Sequence, residues 1–181
     1  FFKDINFALH KGEILGITGL LGSGRTELAL ALFGIQQADT GTITIEGKPL
    51  ELKTPQDAIK NGIGYVPEDR LTEGLHLPLS IGENTIAAEL DKLANKLGIL
   101  DRNKKEQEIN RWVKELSIAT PNPDNACSTL SGGNQQRVVL AKWLARDLKV
   151  LILNGPTVGV DIGSKYDIHQ ILRRLADQGL G

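Results

Sequence analysis

The sequence predicts an α/β protein built on a mainly parallel sheet and interrupted by an inserted helical region. Three observations predict it. Short apolar or β-branched runs alternate with amphipathic stretches at both ends of the chain, the pattern of helices packed on parallel strands. The middle, residues 81–119, carries apolar side chains at helical spacing among many charges. Glycines cluster at 16–24, 132–133 and 155–163, which marks three loops between elements.

Each element has its own local reason. Residues 1–9 alternate, with Ile5, Phe7 and Leu9 on one face, and predict a strand before the Lys11-Gly12 turn. Residues 13–18 are short and apolar, as in a buried strand. Residues 26–33 pair Leu28 with Leu32 and Ala29 with Phe33 at spacing four, a helix stopped by Gly34. Residues 42–45 are β-branched and turn at Glu46-Gly47-Lys48, and residues 63–66 form a strand ended by Pro67. Leu90, Leu93, Leu97, Ile109, Trp112, Val113 and Leu116 set the helical middle, and the segment 120–125 (Thr-Pro-Asn-Pro-Asp-Asn) breaks it. A helix over 133–146 carries Val138, Ala141, Leu144 and Ala145 on one side. Four apolar residues at 150–153 predict a strand buried on both faces, and 164–175 a last helix.

Composition bounds the function. At 181 residues the chain is about one domain, and a chain of this size buries about 70% of its surface. With 40% hydrophobic residues and a net charge of −1 it is not disordered. Cys127 is the only cysteine, so there is no disulfide framework. No apolar run approaches the ~20 residues that span a bilayer. The near-zero charge gives no electrostatic footprint for nucleic acid. The chain has no methionine, opens in mid-pattern and has no signal peptide at its start, so it reads as a piece of a longer polypeptide.

The run Gly19-Leu-Leu-Gly22-Ser23-Gly24-Arg25-Thr26 matches the phosphate-loop pattern with arginine in place of lysine. Its glycines let backbone N–H groups approach phosphate oxygens, and the helix that follows adds a positive dipole end. Arg25 keeps the charge as a planar fork rather than a point. Thr26 offers a hydroxyl where a Mg²⁺ would sit. A second glycine-rich start, Leu130-Ser131-Gly132-Gly133-Asn134-Gln135-Gln136-Arg137, opens the 133–146 helix with Ser131 as its N-cap.

The order of these motifs resembles the ATP-binding cassette family of transporter ATPases, over nearly the whole chain. The glycine loop resembles its Walker A motif and Leu130-Ser131-Gly132-Gly133-Asn134 its LSGGQ signature. Tyr65-Val66-Pro67-Glu68 falls where the family has its Q-loop, with Glu68 at the glutamine position. Residues 150–156 look like Walker B, and Val158-Gly159-Val160-Asp161 like the D-loop, with Asp161 its aspartate. The strings GLLGSGRTEL, GYVPEDR and TLSGGNQQRVVLAKWL are similar to the second cassette of bacterial sugar-import ATPases of the ribose, galactose and xylose type. Arg25, Glu27 and Glu68 are what that cassette usually shows.

The resemblance implies a P-loop NTPase cassette over residues 1–181, truncated at both ends, with N-terminal antiparallel strands and a helical signature subdomain at about 80–146. It implies ATP as ligand and a second, fused N-terminal cassette as partner. It further implies transmembrane permease subunits, an indirect periplasmic or extracellular sugar-binding protein, and a peripheral place on the cytoplasmic face of a bacterial membrane. A Walker B strand normally ends in Asp then Glu, whereas this one ends Asn154-Gly155. Asn154 brings no charge to a hard cation and Gly155 cannot act as a base. The expectation is nucleotide bound on Gly19, Gly22, Ser23, Gly24, Arg25, Thr26, Glu27 and Glu68, with Mg²⁺ weakened and held through Thr26 alone. Neither Glu27 nor Glu68 is expected to replace Gly155, because neither sits at the end of the Walker B strand. Ser131, Gly132, Gly133, Asn134 and Gln135 are expected to complete the partner cassette's site, and Asp161, the D-loop aspartate, is counted among the nucleotide-binding residues.

The alternatives are a non-hydrolytic, nucleotide-sensing regulatory cassette and an importer of a sugar-like signalling molecule. A DNA-maintenance ATPase of similar core would need a long coiled-coil insert, which the sequence lacks. His10, His76 and His169 have no ligand spacing. Cys127 is incidental, and Trp112 and Trp143 are packing residues. The run 101–108 reads as a solvated helix start, with docking to the membrane subunit as its functional alternative. That coupling contact is expected at residues 74–84.

Overall fold

The computed structural model describes residues 2–181, in two compact units. The first comprises the residues up to Tyr65, 148–154 and 173–181. Its helix α1 (Arg25–Leu32) ends where expected, at Gly34, whose φ is +78°. A Cβ there would lie 2.7 Å from the Thr54 carbonyl oxygen, so only glycine fits the stop. Strands β1 (Ile43–Ile45) and β2 (Lys48–Leu50) pair antiparallel, Ile43 opposite Leu50 and Ile45 opposite Lys48. Their two-residue turn places both Glu46 (φ 52°) and Gly47 (φ 75°) in the left-handed region, as tight hairpins require. Helix α2 (Pro55–Lys60) carries a full capping box between Thr54 and Asp57, with proline in its first turn. The Phe33 and Tyr65 rings stack at 5.3 Å.

Strands β3 (Ile63–Val66) and β4 (Val150–Leu153) form the second two-stranded sheet. Gly62 O accepts from the N–H groups of Lys149 and Val150, and Gly181 adds a rung on Leu151 (2.9 Å) and Lys149 (3.1 Å). Three strand expectations change here. Residues 2–9 and 13–18 are not strands, and Ile5, Phe7, Ile14, Leu15 and Ile17 are exposed; Phe1 lies outside the described residues. An apolar run becomes a strand only where a neighbouring edge pairs with its backbone groups, and no described segment ladders onto these two. Strand β4 is half-buried along its length rather than buried on both faces.

The second unit comprises residues 66–147 and 155–172. The helical middle resolves into α3 (Ile81–Ile86), α4 (Leu90–Leu93) and α5 (Arg102–Glu115), followed by α6 (Gly132–Leu144) and most of α7 (Ile162–Asp177). Ser80 and Glu83 form a capping box at α3. Gly82 brings α3 close to α5, since a Cβ would lie 2.8 Å from Ile109 Cδ1. Ile86, Leu93 and Ile109 form one apolar cluster, and Ile81, Leu140, Val138, Val139 and Ile168 are fully buried. Asn84, almost wholly buried, accepts from His76 N (2.8 Å) and donates to His76 O (3.0 Å) and Ser80 O (2.9 Å), which fixes the 76–80 loop. Trp112 and Trp143 are buried packing residues, as expected. The 101–108 run opens α5 with Asp101 as its N-cap and an exposed Arg102–Glu106 pair.

One carboxyl in this unit is costly. Glu89 is 4% exposed and its Oε1 has no hydrogen-bond partner. Burial, reinforced by nearby Glu108, pushes its carboxyl up to about 7. A folded-state value above the unfolded one stabilises at acid pH, and that contribution is lost as pH rises from about 4.5 to about 7. The size is on the order of 3 kcal/mol. Glu89→Gln is therefore expected to raise the urea midpoint at pH 8 and to flatten its fall between pH 5 and pH 7. An unchanged slope would contradict this.

Candidate functional site

The phosphate loop lies in the first unit. Gly24 is the N-cap of α1 at φ 89° and ψ 9°, a left-handed position that offers no side-chain cap. The first-turn N–H groups at Arg25, Thr26 and Glu27 precede any intrahelical acceptor, so they face outward as anion donors. Ser23 N donates to Leu20 O at 3.1 Å and closes the turn. Gly19 lies tight beneath it, since a Cβ would come within 2.6 Å of Ser23 Oγ. Gly22 takes φ 76°. Arg25 is exposed beside the loop, and Glu27 places a carboxylate in the first turn of the helix.

Asn154 ends β4 beside this loop and donates from Nδ2 to Thr26 Oγ1 at 3.2 Å. In this orientation the carboxamide presents its donor to the hydroxyl lone pair that a cation would use. No group of three or more His, Cys, Asp or Glu residues forms a candidate metal cluster among the described residues. The loop's backbone donors suit phosphate oxygens, and the neighbouring side chain bonded to the Thr26 hydroxyl is a carboxamide, where a hard cation favours carboxylate oxygens.

Gly155 belongs to the second unit and adopts φ +59°. A Cβ at this position would lie 3.0 Å from Val158 Cγ2, 3.4 Å from Glu68 Cγ and 3.8 Å from Glu68 Cδ. The Glu68 side chain thus lies against the residue where the Walker B glutamate would be, although it comes from the loop after β3. Distance along the chain separates the two residues, and the fold brings them together. That proximity alone assigns Glu68 no role.

The signature segment is also in the second unit. Ser131 is the N-cap of α6 and is exposed. Its Oγ accepts from Asn134 Nδ2 at 3.0 Å, and Asn134 Oδ1 accepts from Ala119 N at 2.8 Å. Gln135 is buried, with its Oε1 accepting from Arg70 Nε at 3.4 Å. Gly132 and Gly133 are needed for close approach. A Cβ on Gly132 would lie 2.7 Å from Arg70 Nη2, and one on Gly133 would lie 2.2 Å from Ser164 Oγ. Asp161 Oδ1 accepts from Ser164 N at 2.9 Å at the start of α7, and the Ser164 hydrogen bonds hold its carboxyl below the usual range. Gly133→Ala is expected to destabilise the protein by about 1–3 kcal/mol, with Ser164→Gly restoring much of it. A thermal-unfolding cycle showing strict additivity of the two changes would contradict that packing.

Sequence reasoning missed Arg70 and Lys142. Arg70 stands two residues after Glu68, but its partners lie 65, 88 and 89 residues away, beyond any local pattern. Lys142 is an ordinary charge in a helical sequence; in the structure its Nζ donates to Gly74 O at 2.6 Å, and burial pushes its amine down to about 8. Cys127 is fully buried, and burial raises its thiol to about 11, as an inert side chain requires.

A glycine loop opening one helix and a second glycine start opening another define a class of phosphate-binding α/β proteins. Residues 2–158 match the family model for the ABC transporter, and the chain belongs to that family. It is 46% identical over 177 residues to the ribose import ATP-binding protein of Clostridium perfringens, covering 98% of this chain and 35% of that protein. It is 44% identical over 179 residues to the ribose import ATP-binding protein of Bacillus subtilis, covering 99% of this chain and 36% of that one. The chain thus spans about a third of the length of these curated relatives. The crystal structure of a nucleotide-free ATP-binding cassette from an ABC transporter shares its fold, with a TM-score of 0.81 at 22% identity over 96% of this chain and 70% of that one. The P-loop cassette fold is therefore the fold of this chain, although the two sheets among the described residues have two strands each and the β1–β2 pair is antiparallel rather than part of a mainly parallel sheet.

Proposed function

We propose that this chain is one nucleotide-binding cassette of a bacterial importer of ribose- or galactose-like sugars. It binds ATP on the loop from Gly19 to Thr26, turns it over slowly on that face, and lends its signature segment to the ATP of a second, fused cassette. Residues 1–181 form one cassette in this reading, and the helical part at about 80–146 carries the signature. The observation that carries it is the contrast between two nucleotide-facing places in one chain. Asn154 donates to Thr26 where a carboxylate would hold Mg²⁺, while Ser131 keeps an exposed, capped helix start with two glycines behind it.

The chemistry follows from these residues. Glycine N–H groups and the α1 terminus neutralise phosphate charge, and Arg25 adds an exposed cation beside the loop. Mg²⁺, where bound, would supply charge neutralisation between phosphates, and this site offers it little beyond the Thr26 hydroxyl. Ser131 Oγ and the first N–H groups of α6 form a preorganised donor set for an outer phosphate. The transmembrane permease takes up the conformational change through residues 74–84, and a sugar-binding protein outside the membrane delivers the solute. No helix among the described residues is long and apolar enough to cross a membrane, which fits a peripheral subunit held at the cytoplasmic face by its permease. Disrupting the coding sequence in its host should abolish uptake of a labelled pentose or hexose, and the intact protein should restore it. Uptake of every sugar tested at the parental rate would overturn the reading.

A further inference from the structure

The turn that follows Glu68 is a π-helix over Arg70–Gly74, a rare form that is frequent at functional sites. It is fastened at both ends to the signature helix α6. At its start Arg70 Nη1 donates to Val158 O at 2.8 Å, Nη2 to Gly159 O at 3.1 Å and Nε to Gln135 Oε1 at 3.4 Å. Gly132 leaves the guanidinium its seat. At its end Gly74 O accepts from Lys142 Nζ, and Gly74 packs so closely that a Cβ would lie 3.2 Å from Val139 Cγ2. A planar fork can hold two successive carbonyls and a third acceptor together; an ammonium cannot reproduce that geometry. The two carbonyls belong to the loop that leads to Asp161, the residue that opens α7.

We propose that Arg70 is a positioning residue: its guanidinium clasps the 158–159 loop to the start of the signature helix, so that Asp161 and Ser131 hold one fixed spacing when a nucleotide is engaged. The Glu68 loop moves with them, because the π-turn is pinned to the same helix. The inference rests on the signature reading above and adds to it the part that keeps the signature and the Asp161 loop in register.

The test uses the full-length protein with its permease, as wild type, Arg70→Lys and Arg70→Ala. Arg70→Lys keeps the stem and the charge but loses the fork, so it tests the clasp even if Arg70→Ala fails to fold. The expected result is kcat for ATP lowered about tenfold with KM changed less than about twofold. Amide exchange over residues 157–161 should quicken about tenfold, while α3 amides keep their protection. Unchanged exchange at 157–161, or kcat within about twofold of wild type in Arg70→Lys, would overturn the clasp. A wild-type protein that neither binds nor hydrolyses ATP would instead defeat the nucleotide reading, and the exchange measurement would still decide for or against the clasp.

Discussion

Ser131→Arg is expected to abolish ATP hydrolysis by the intact transporter, with a loss of about a hundredfold or more, whereas Arg25→Ala should lower it only a few-fold. Ser131 is exposed at the start of α6, and its Oγ meets Asn134. A long cation there removes the cap, at a cost of about 1 kcal/mol, and fills the space an outer phosphate would take. The local stability loss is small, so the activity loss would come from the site and not from unfolding. Arg25 is an exposed side chain at the rim of a loop whose backbone makes the main donor set. Its loss removes one screened charge from a site proposed to hydrolyse little. Steady-state ATPase and uptake rates on both variants check this. Equal losses would contradict the asymmetry.

Gly155→Glu is expected to destabilise the protein and to leave hydrolysis unrestored. The position sits at φ +59°, which costs a non-glycine residue roughly 1–2 kcal/mol. The new Cβ would also meet Val158 Cγ2 at 3.0 Å and the Glu68 side chain, so the total is about 2–4 kcal/mol. Two carboxylates would then crowd one spot, and like charges disfavour each other. Adding Glu68→Ala to Gly155→Glu should recover part of the lost stability, which thermal unfolding of the single and double variants would measure. A Gly155→Glu protein as stable as wild type would show that this backbone accommodates a second carboxylate readily.

Much of the fold was legible where its cause is local. The stop at Gly34, the hairpin turn at Glu46-Gly47, the end of β3 before Pro67 and the cap at Ser131 each follow from one or two residues acting on their own backbone. Residues 2–9 and 13–18 misled because a strand also needs a partner edge, which no short window contains. The helical middle divides into three helices because the turn after α3 is held by Arg146 from 58 residues away and the 94–100 segment closes on itself, neither of which apolar spacing reveals. In the site, the glycines and the Walker B substitutions were readable as residue types. The Asn154–Thr26 hydrogen bond, the approach of Glu68 to Gly155 and the Arg70 clasp were not, because each joins segments far apart in the chain.

On the proposed reading, Asn154 bonds directly to Thr26 in place of holding a metal position. Calorimetric titration of ATP onto this cassette, in Mg²⁺ and again in excess chelator, tests it most directly. Affinities within about threefold of each other are expected, as is an Asn154→Asp variant that gains Mg²⁺ dependence. Wild-type binding tightened tenfold or more by Mg²⁺ would contradict it.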